Sequence, residues 1–260
     1  MKQTRQDAAL ALIISLTFLA CNNSEKKTEP STADSTQSTS TTMDTTTTTH
    51  NQDMDATKVA PAQYTVAKDT MGIRVLNILY KPGDSSGMHS HPDNALYVID
   101  GGKTQFTAKD GSKQVVDIKS GVGMIGGAET HSVKNVGNTT VRAILVEVNR
   151  PNRPGTQDAT LDATKVASKN YKLVQDSLNM RIITVNYKPG DVSAMHSHPD
   201  LVMYVLSPAK VEFTGKDGTK RTMTLEKGMV AVVPADTHSV KNVGNTNARV
   251  VLIEVNRPEK

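Results

Sequence analysis

The stretch Gly83-Asp84-Ser85-Ser86-Gly87-Met88-His89-Ser90-His91-Pro92-Asp93 returns as Gly190-Asp191-Val192-Ser193-Ala194-Met195-His196-Ser197-His198-Pro199-Asp200, at an offset of 107 residues. A third histidine follows each pair at the same offset, His131 in Thr130-His131-Ser132-Val133-Lys134-Asn135 and His238 in Thr237-His238-Ser239-Val240-Lys241-Asn242. Of the seven histidines in the chain, only His50 lies outside these triplets, alone in a polar segment where it is simply solvated. Strand side chains alternate between faces, so two histidines one residue apart on a strand project to the same side. Each pair can therefore face one metal ion together.

The duplication extends well beyond the histidines. Ala56-Thr57-Lys58-Val59-Ala60 matches Ala163-Thr164-Lys165-Val166-Ala167, and the alignment runs without a gap to Val148-Asn149-Arg150-Pro151 and Val255-Asn256-Arg257-Pro258, with about half the positions identical. Two copies are too few for a solenoid, so the expectation is a pair of domains, 56–151 and 163–260, joined by a linker at 152–162 that contains Pro154 and Gly155. Within each copy, short segments rich in β-branched residues, such as Ile73 to Tyr80 and Val141 to Val148, alternate with turn signals such as Lys109-Asp110-Gly111. No long 3.6-residue periodicity appears after the N-terminal region. This pattern predicts an all-β sandwich or barrel, whose closed or double-sheet form hides the strand edges.

Residues 1–20 have the pattern of an export signal: Lys2 and Arg5, then an apolar run from Ala8 to Ala20 that is short for a membrane span. The run ends in Phe18-Leu19-Ala20-Cys21, which resembles a bacterial lipoprotein lipobox, although Phe18 stands where Leu is usual. That resemblance implies that Cys21 is lipidated and that the protein is anchored in the cell envelope, on its periplasmic or surface face. Cys21 is the sole cysteine, so there is no internal disulfide framework. Residues 21–55, dominated by Ser, Thr, Asp, Lys and Gln, cannot bury enough apolar surface to offset the entropy of ordering and read as a disordered tether. A net charge of +4 without a basic block, no Trp and only three Phe argue against a nucleic-acid partner.

The two histidine motifs, in order and twice over, resemble those of the cupin superfamily of double-sheet jelly-roll barrels. Gly83 with His89-Ser90-His91 and Gly190 with His196-Ser197-His198 fit the glycine and His-x-His of the first motif, and His131 with Asn135 and His238 with Asn242 fit the end of the second. The resemblance implies a metal ion inside each barrel, held by His89, His91 and His131 and by His196, His198 and His238. It departs from the pattern where the glutamate ligand should stand, since the chain reads Asn94-Ala95-Leu96 and Leu201-Val202-Met203. The second motif is also shorter than usual, and Gly127 has replaced the proline kept at Pro234.

Three imidazoles suit Zn, Cu, Fe and Ni; zinc is the first expectation, with Fe, Ni, Mn and Cu left open. Asp93, Asp200 and Asn94 are candidates to complete the ligand shell, although turn roles suit the two aspartates as well. Tyr97 and Tyr204 could line a ligand pocket or fill a barrel core. Glu147 and Glu254 interrupt apolar strands, where pairing with Arg142 or Arg249, or exposure on an alternating strand, is the simpler reading than a general base. Met88 and Met195 read as packing residues. The resemblance leaves two functions open, a metal-dependent enzyme of dioxygenase or isomerase type acting on a small molecule and a non-catalytic binding or structural module, because the fold serves both.

Overall fold

The structure, a computed structural model, describes residues 52–150 and 158–255. The signal region, Cys21, His50 and most of the tether lie outside them.

Each copy contributes nine strands. The first holds β1 (Tyr64–Thr70), β2 (Ile73–Tyr80), β3 (His89–His91), β4 (Asn94–Asp100), β5 (Gly102–Ala108), β6 (Lys113–Ile118), β7 (Gly123–Gly126), β8 (Glu129–Asn135) and β9 (Val141–Val148). The second repeats them as β10 (Tyr171–Ser177), β11 (Met180–Tyr187), β12 (His196–His198), β13 (Leu201–Ser207), β14 (Ala209–Gly215), β15 (Lys220–Leu225), β16 (Val230–Val233), β17 (Asp236–Asn242) and β18 (Ala248–Val255). In each copy a five-stranded sheet, β1-β2-β9-β4-β7 or β10-β11-β18-β13-β16, is matched by a four-stranded one, β3-β8-β5-β6 or β12-β17-β14-β15. All the ladders are antiparallel. Such crossed pairing, with β3 beside β8 and β2 beside β9, is the double-sheet barrel that the strand pattern calls for.

The described residues begin before Ala56. A 3-10 turn at Gln52–Met54 leads into Asp55, which caps the short helix α1 (Ala56–Val59) by accepting from the Thr57 backbone N–H at 2.8 Å. Asp162 does the same for α2 (Ala163–Val166), after a 3-10 turn at Ala159–Leu161. These aspartates are set in place by ion pairs, Asp55 with Arg74 and Asp162 with Arg181, each at 2.6 Å. The pairs lie in sequence beyond what tether or linker composition can reveal.

The central strands β9 and β18 explain why they read as almost continuous apolar runs. Along β9, Val141 and Leu145 turn into the first barrel, while Ile144, Val146 and Val148 turn outward. The outward set packs with Ile73, Val75 and Ala95 against Met180, Ile182, Val202, Val251 and Ile253 of the second copy, forming one shared core between the five-stranded sheets. A strand buried on both faces has no polar side to show. Tyr97 and Tyr204 belong to this core and therefore face the neighbouring barrel, not their own interiors. The reading of them as pocket residues is corrected by strand parity: Leu96 and Met203, one position earlier, take the interior.

Candidate metal centres

The register of the four-stranded sheets assembles each histidine triplet. His89 lies directly opposite His131, and His196 opposite His238, in the antiparallel pairs β3·β8 and β12·β17. Opposed residues point to the same face, so the third imidazole joins the two of the His-x-His pair. The ligand-capable atoms of His89, His91 and His131 all lie within 4.8 Å of one another, as do those of His196, His198 and His238. Ring centroids are 4.9 Å apart for His89–His91 and His89–His131, and 4.9 Å for His196–His198 and His196–His238. The change from Pro234 to Gly127 leaves the His131 arrangement equivalent to that at His238.

Every Nδ1 atom already has an acceptor beside it. His89 and His196 face the backbone carbonyls of Gly87 at 2.8 Å and Ala194 at 2.7 Å. His91 and His198 face the buried carboxylates of Glu147 at 2.7 Å and Glu254 at 2.6 Å. His131 Nδ1 stands 3.3 Å from Glu129 Oε2, and His238 Nδ1 2.9 Å from Asp236 Oδ2. This fixes the tautomer with hydrogen on Nδ1 and leaves the Nε2 lone pairs for the centre. Burial pushes His89 down to about 4 and His196 to about 3, so both rings are neutral, the form that donates a lone pair, at physiological pH. Burial likewise lowers His238.

Glu147 and Glu254 are the residues whose role was misread from sequence. Both side chains are 0% exposed. Glu147 shares the inward parity of Val141 and Leu145 on β9, which puts it opposite Arg74 in the β2·β9 register and beside His91. Arg142, five residues away on the same strand, must point to the other face; it pairs instead with Asp100. Arg74 Nε donates to Glu147 Oε2 at 2.6 Å and its Nη1 to Asp55, so a continuous chain runs Asp55, Arg74, Glu147, His91. The second copy repeats it as Asp162, Arg181, Glu254, His198. Burial raises the Glu147 carboxyl, but hydrogen bonds from His91 and Arg74 and the Arg74 charge outweigh it, holding the group below its ordinary range. The signal available in sequence was the pair itself: a glutamate in an apolar strand and an arginine in its partner strand, both recurring 107 residues on.

The other proposed ligands fall outside the imidazole clusters. Asp93 accepts from Ala128 N–H at 3.1 Å. Asp200 accepts from Ala235 N–H at 2.9 Å and from Arg150 at 2.7 Å. Asn94 donates to the Pro92 carbonyl at 3.0 Å. Pro92 and Pro199 break the strand after the second histidine, so the alternation that would have carried these side chains inward is lost. They hold the loop that follows.

The donor set fits a metal ion on its own chemistry. His196 Nε2 and His198 Nε2 are buried with no hydrogen-bond partner, a costly arrangement for polar atoms unless something binds them. Nitrogen ligands with carboxylate and carbonyl partners on their outer nitrogens are the usual construction of a metal site.

No family model matches the sequence, and no curated protein does. Solved structures do match. A point variant of the Bacillus subtilis oxalate decarboxylase aligns with a TM-score of 0.54 at 16% identity, over 72% of this chain and 70% of that one. Another structure of the same enzyme, a study of its Mn(II) centres, gives 0.52 at 17% identity over the same shares. AerE from Microcystis aeruginosa gives 0.54 at 14% identity, over 74% of this chain and 97% of that one. At such identities the likeness is one of fold, and the fold is that of a tandem, two-barrel cupin.

Proposed function

We propose that this bicupin holds one divalent metal ion in each barrel, through Nε2 of His89, His91 and His131 and of His196, His198 and His238, and offers it to a small oxygen-bearing molecule. The observation that carries the reading is the set of six Nδ1 atoms all turned to outer acceptors, with the buried Nε2 atoms of His196 and His198 left without partners. A bound ion would supply a Lewis-acid centre. The chain's own part is to orient the rings, to keep those of His89 and His196 neutral by burial, and to present them on a sheet with His131 and His238 as the partly exposed members, 14% and 13% by side chain. Zinc is the first expectation on the donor set; Mn is the metal of one structural neighbour, and Fe, Ni and Cu also accept imidazole.

Elemental analysis of the protein after dialysis against each ion, for wild type and for the paired substitutions His89→Ala with His91→Ala and His196→Ala with His198→Ala, tests this. Each pair of substitutions should remove one site and spare the other. Equal uptake by wild type and by a protein lacking all four histidines would refute it.

A non-catalytic ligand-binding role is favoured over an enzyme by one observation. The carboxylates nearest the imidazoles are already committed, Glu147 and Glu254 to arginine and histidine, Glu129 and Asp236 to histidine, leaving no free carboxylate base there among the described residues. Oxygen consumption or substrate turnover by the loaded protein would decide for a dioxygenase or isomerase instead. Export and lipid anchoring at Cys21 in a bacterial envelope are part of the proposal, supported by the residues that end in Phe18-Leu19-Ala20-Cys21. Incorporation of labelled palmitate that Cys21→Ala abolishes is the expected result.

A further inference from the structure

The first barrel reaches into the second through a buried charge. Strand β9, which sets Glu147 against His91, is followed closely by Arg150. The Arg150 side chain is 5% exposed, and its Nη1 donates to Asp200 Oδ2 at 2.7 Å and to the Met71 carbonyl at 3.1 Å. Met71 lies in the tight turn between β1 and β2 of the first copy, whereas Asp200 lies just past His198 in the second. The turn makes room for the arginine. Gly72 has a φ of +67°, and a Cβ there would come within 2.6 Å of the Arg150 Cβ. The second copy carries Asn179 at the matching place.

Asp200 joins the parts of the second centre that sequence keeps apart. It follows His198 by two residues, and its Oδ1 accepts from the N–H of Ala235, which precedes His238 by three, at 2.9 Å. Its backbone carbonyl accepts from the Val255 N–H at 2.8 Å, next to Glu254, the outer partner of His198. With Oδ2 drawn to the guanidinium, Oδ1 is turned to Ala235. Asp93 accepts from Ala128 in the same way at 3.1 Å, and Arg257, the match of Arg150, lies outside the described residues. A buried ion pair contributes little net stability compared with apolar packing of the same volume, and Arg150 Nε is buried here without a hydrogen-bond partner. What the pair supplies is position, since a planar guanidinium held by acceptors on both barrels fixes the carboxylate in direction as well as distance.

Resting on the metal-binding reading above, we propose that Arg150 is a positioning residue for the second metal centre, supplied by the first barrel. It holds Asp200 so that the segment after His198 and the segment before His238 keep their spacing, and the two imidazoles stay aimed at one ion. The second centre is thus built across the interface between the barrels.

The test is zinc affinity, read by competition with a chromophoric chelator, at each site in turn. The second site is read in protein whose first is removed by His89→Ala with His91→Ala, and the first in protein carrying His196→Ala with His198→Ala. Arg150→Met keeps the apolar stem and removes the charge and the donors. It should weaken the second site about tenfold, the low end for loss of an outer partner, and leave the first as it is. Asp200→Asn, which keeps an oxygen for Ala235, should cause a similar loss, and the two substitutions together should cost no more than the larger one alone, because the pair acts as a unit. Loss of packing alone would give additive effects. Should Arg150→Met not fold, Asp200→Asn carries the same expectation of a loss confined to the second site. No loss at the second site, equal loss at both, or additive losses in the double variant would overturn the role given to Arg150 and leave the three-histidine sites standing. Wild-type protein that binds no zinc would overturn both.

Discussion

Glu147→Gln should loosen both the first barrel and its metal site, because the carboxylate joins two things that sequence places far apart. One oxygen accepts from His91 Nδ1 at 2.7 Å and the other from Arg74 Nε at 2.6 Å, in a position with no solvent exposure. Glutamine keeps the shape and can still accept from His91, but its amide N–H₂ then meets the Arg74 N–H, donor against donor, and the buried guanidinium loses one of its two counter-charges. Removing one member of a buried ion pair costs about 3–5 kcal/mol. Asp55 remains paired with Arg74 at 2.6 Å, so the lower part of the range applies, about 2–3 kcal/mol once the retained His91 contact is counted. For a folded region of this size that corresponds to a fall in Tm of about 5–10 °C, measured by circular dichroism in the presence of a chelator. Loss of an outer-shell partner of a ligating histidine typically costs about 10–100-fold in metal affinity, which competition with a chromophoric chelator would read for zinc at the first site only. A Glu147→Gln protein with unchanged Tm and unchanged zinc affinity would refute the role given to this carboxylate.

Other expectations concern acid, packing and metal removal. Hydrogen bonds from Thr57 and Arg74 outweigh the raising effect of burial and bring Asp55 down to about 2, so its stabilising contribution is fully present above the unfolded value and disappears as pH falls through the folded one. Wild type should therefore lose about 2 kcal/mol between roughly pH 4 and pH 2 relative to Asp55→Asn, measured by urea unfolding across that range, and parallel acid profiles would contradict it. Ile182→Ala, at a site with no exposure in the core shared by both barrels, should cost about 2–5 kcal/mol. A single calorimetric transition should move as a whole, whereas two separated peaks would show that the halves unfold independently. Zinc at about a thousandfold excess over its Kd should add about 4 kcal/mol per site, and chelation should reverse it; a Tm that ignores both additions would count against bound metal.

The all-β class and the histidine triplets were legible because they depend on local rules. The alternation of a strand puts His89 and His91 on one face, and the repeat at His196 and His198 shows that the spacing is not accidental. What could not be read was anything set by register between distant strands. Arg74 and Glu147 meet only because β2 lies beside β9 in one particular register, and Tyr64 reaches His89 from a strand that carries no motif. Tyr97 was left open between pocket and core for a related reason: β4 is buried on one face by its own barrel and on the other by the second, so the apolar pattern does not tell which face is interior. Asp93 and Asp200 were plausible ligands by distance along the chain alone, until Pro92 and Pro199 ended the strands before them.

The most direct test of the metal reading is the number of ions per chain in protein stripped, reloaded with zinc and measured by elemental analysis. About two ions per chain are expected in wild type, falling to about one when His131→Ala or His238→Ala removes the third imidazole of a centre. Wild-type protein that retains no zinc, or variants that retain as much as wild type, would contradict it.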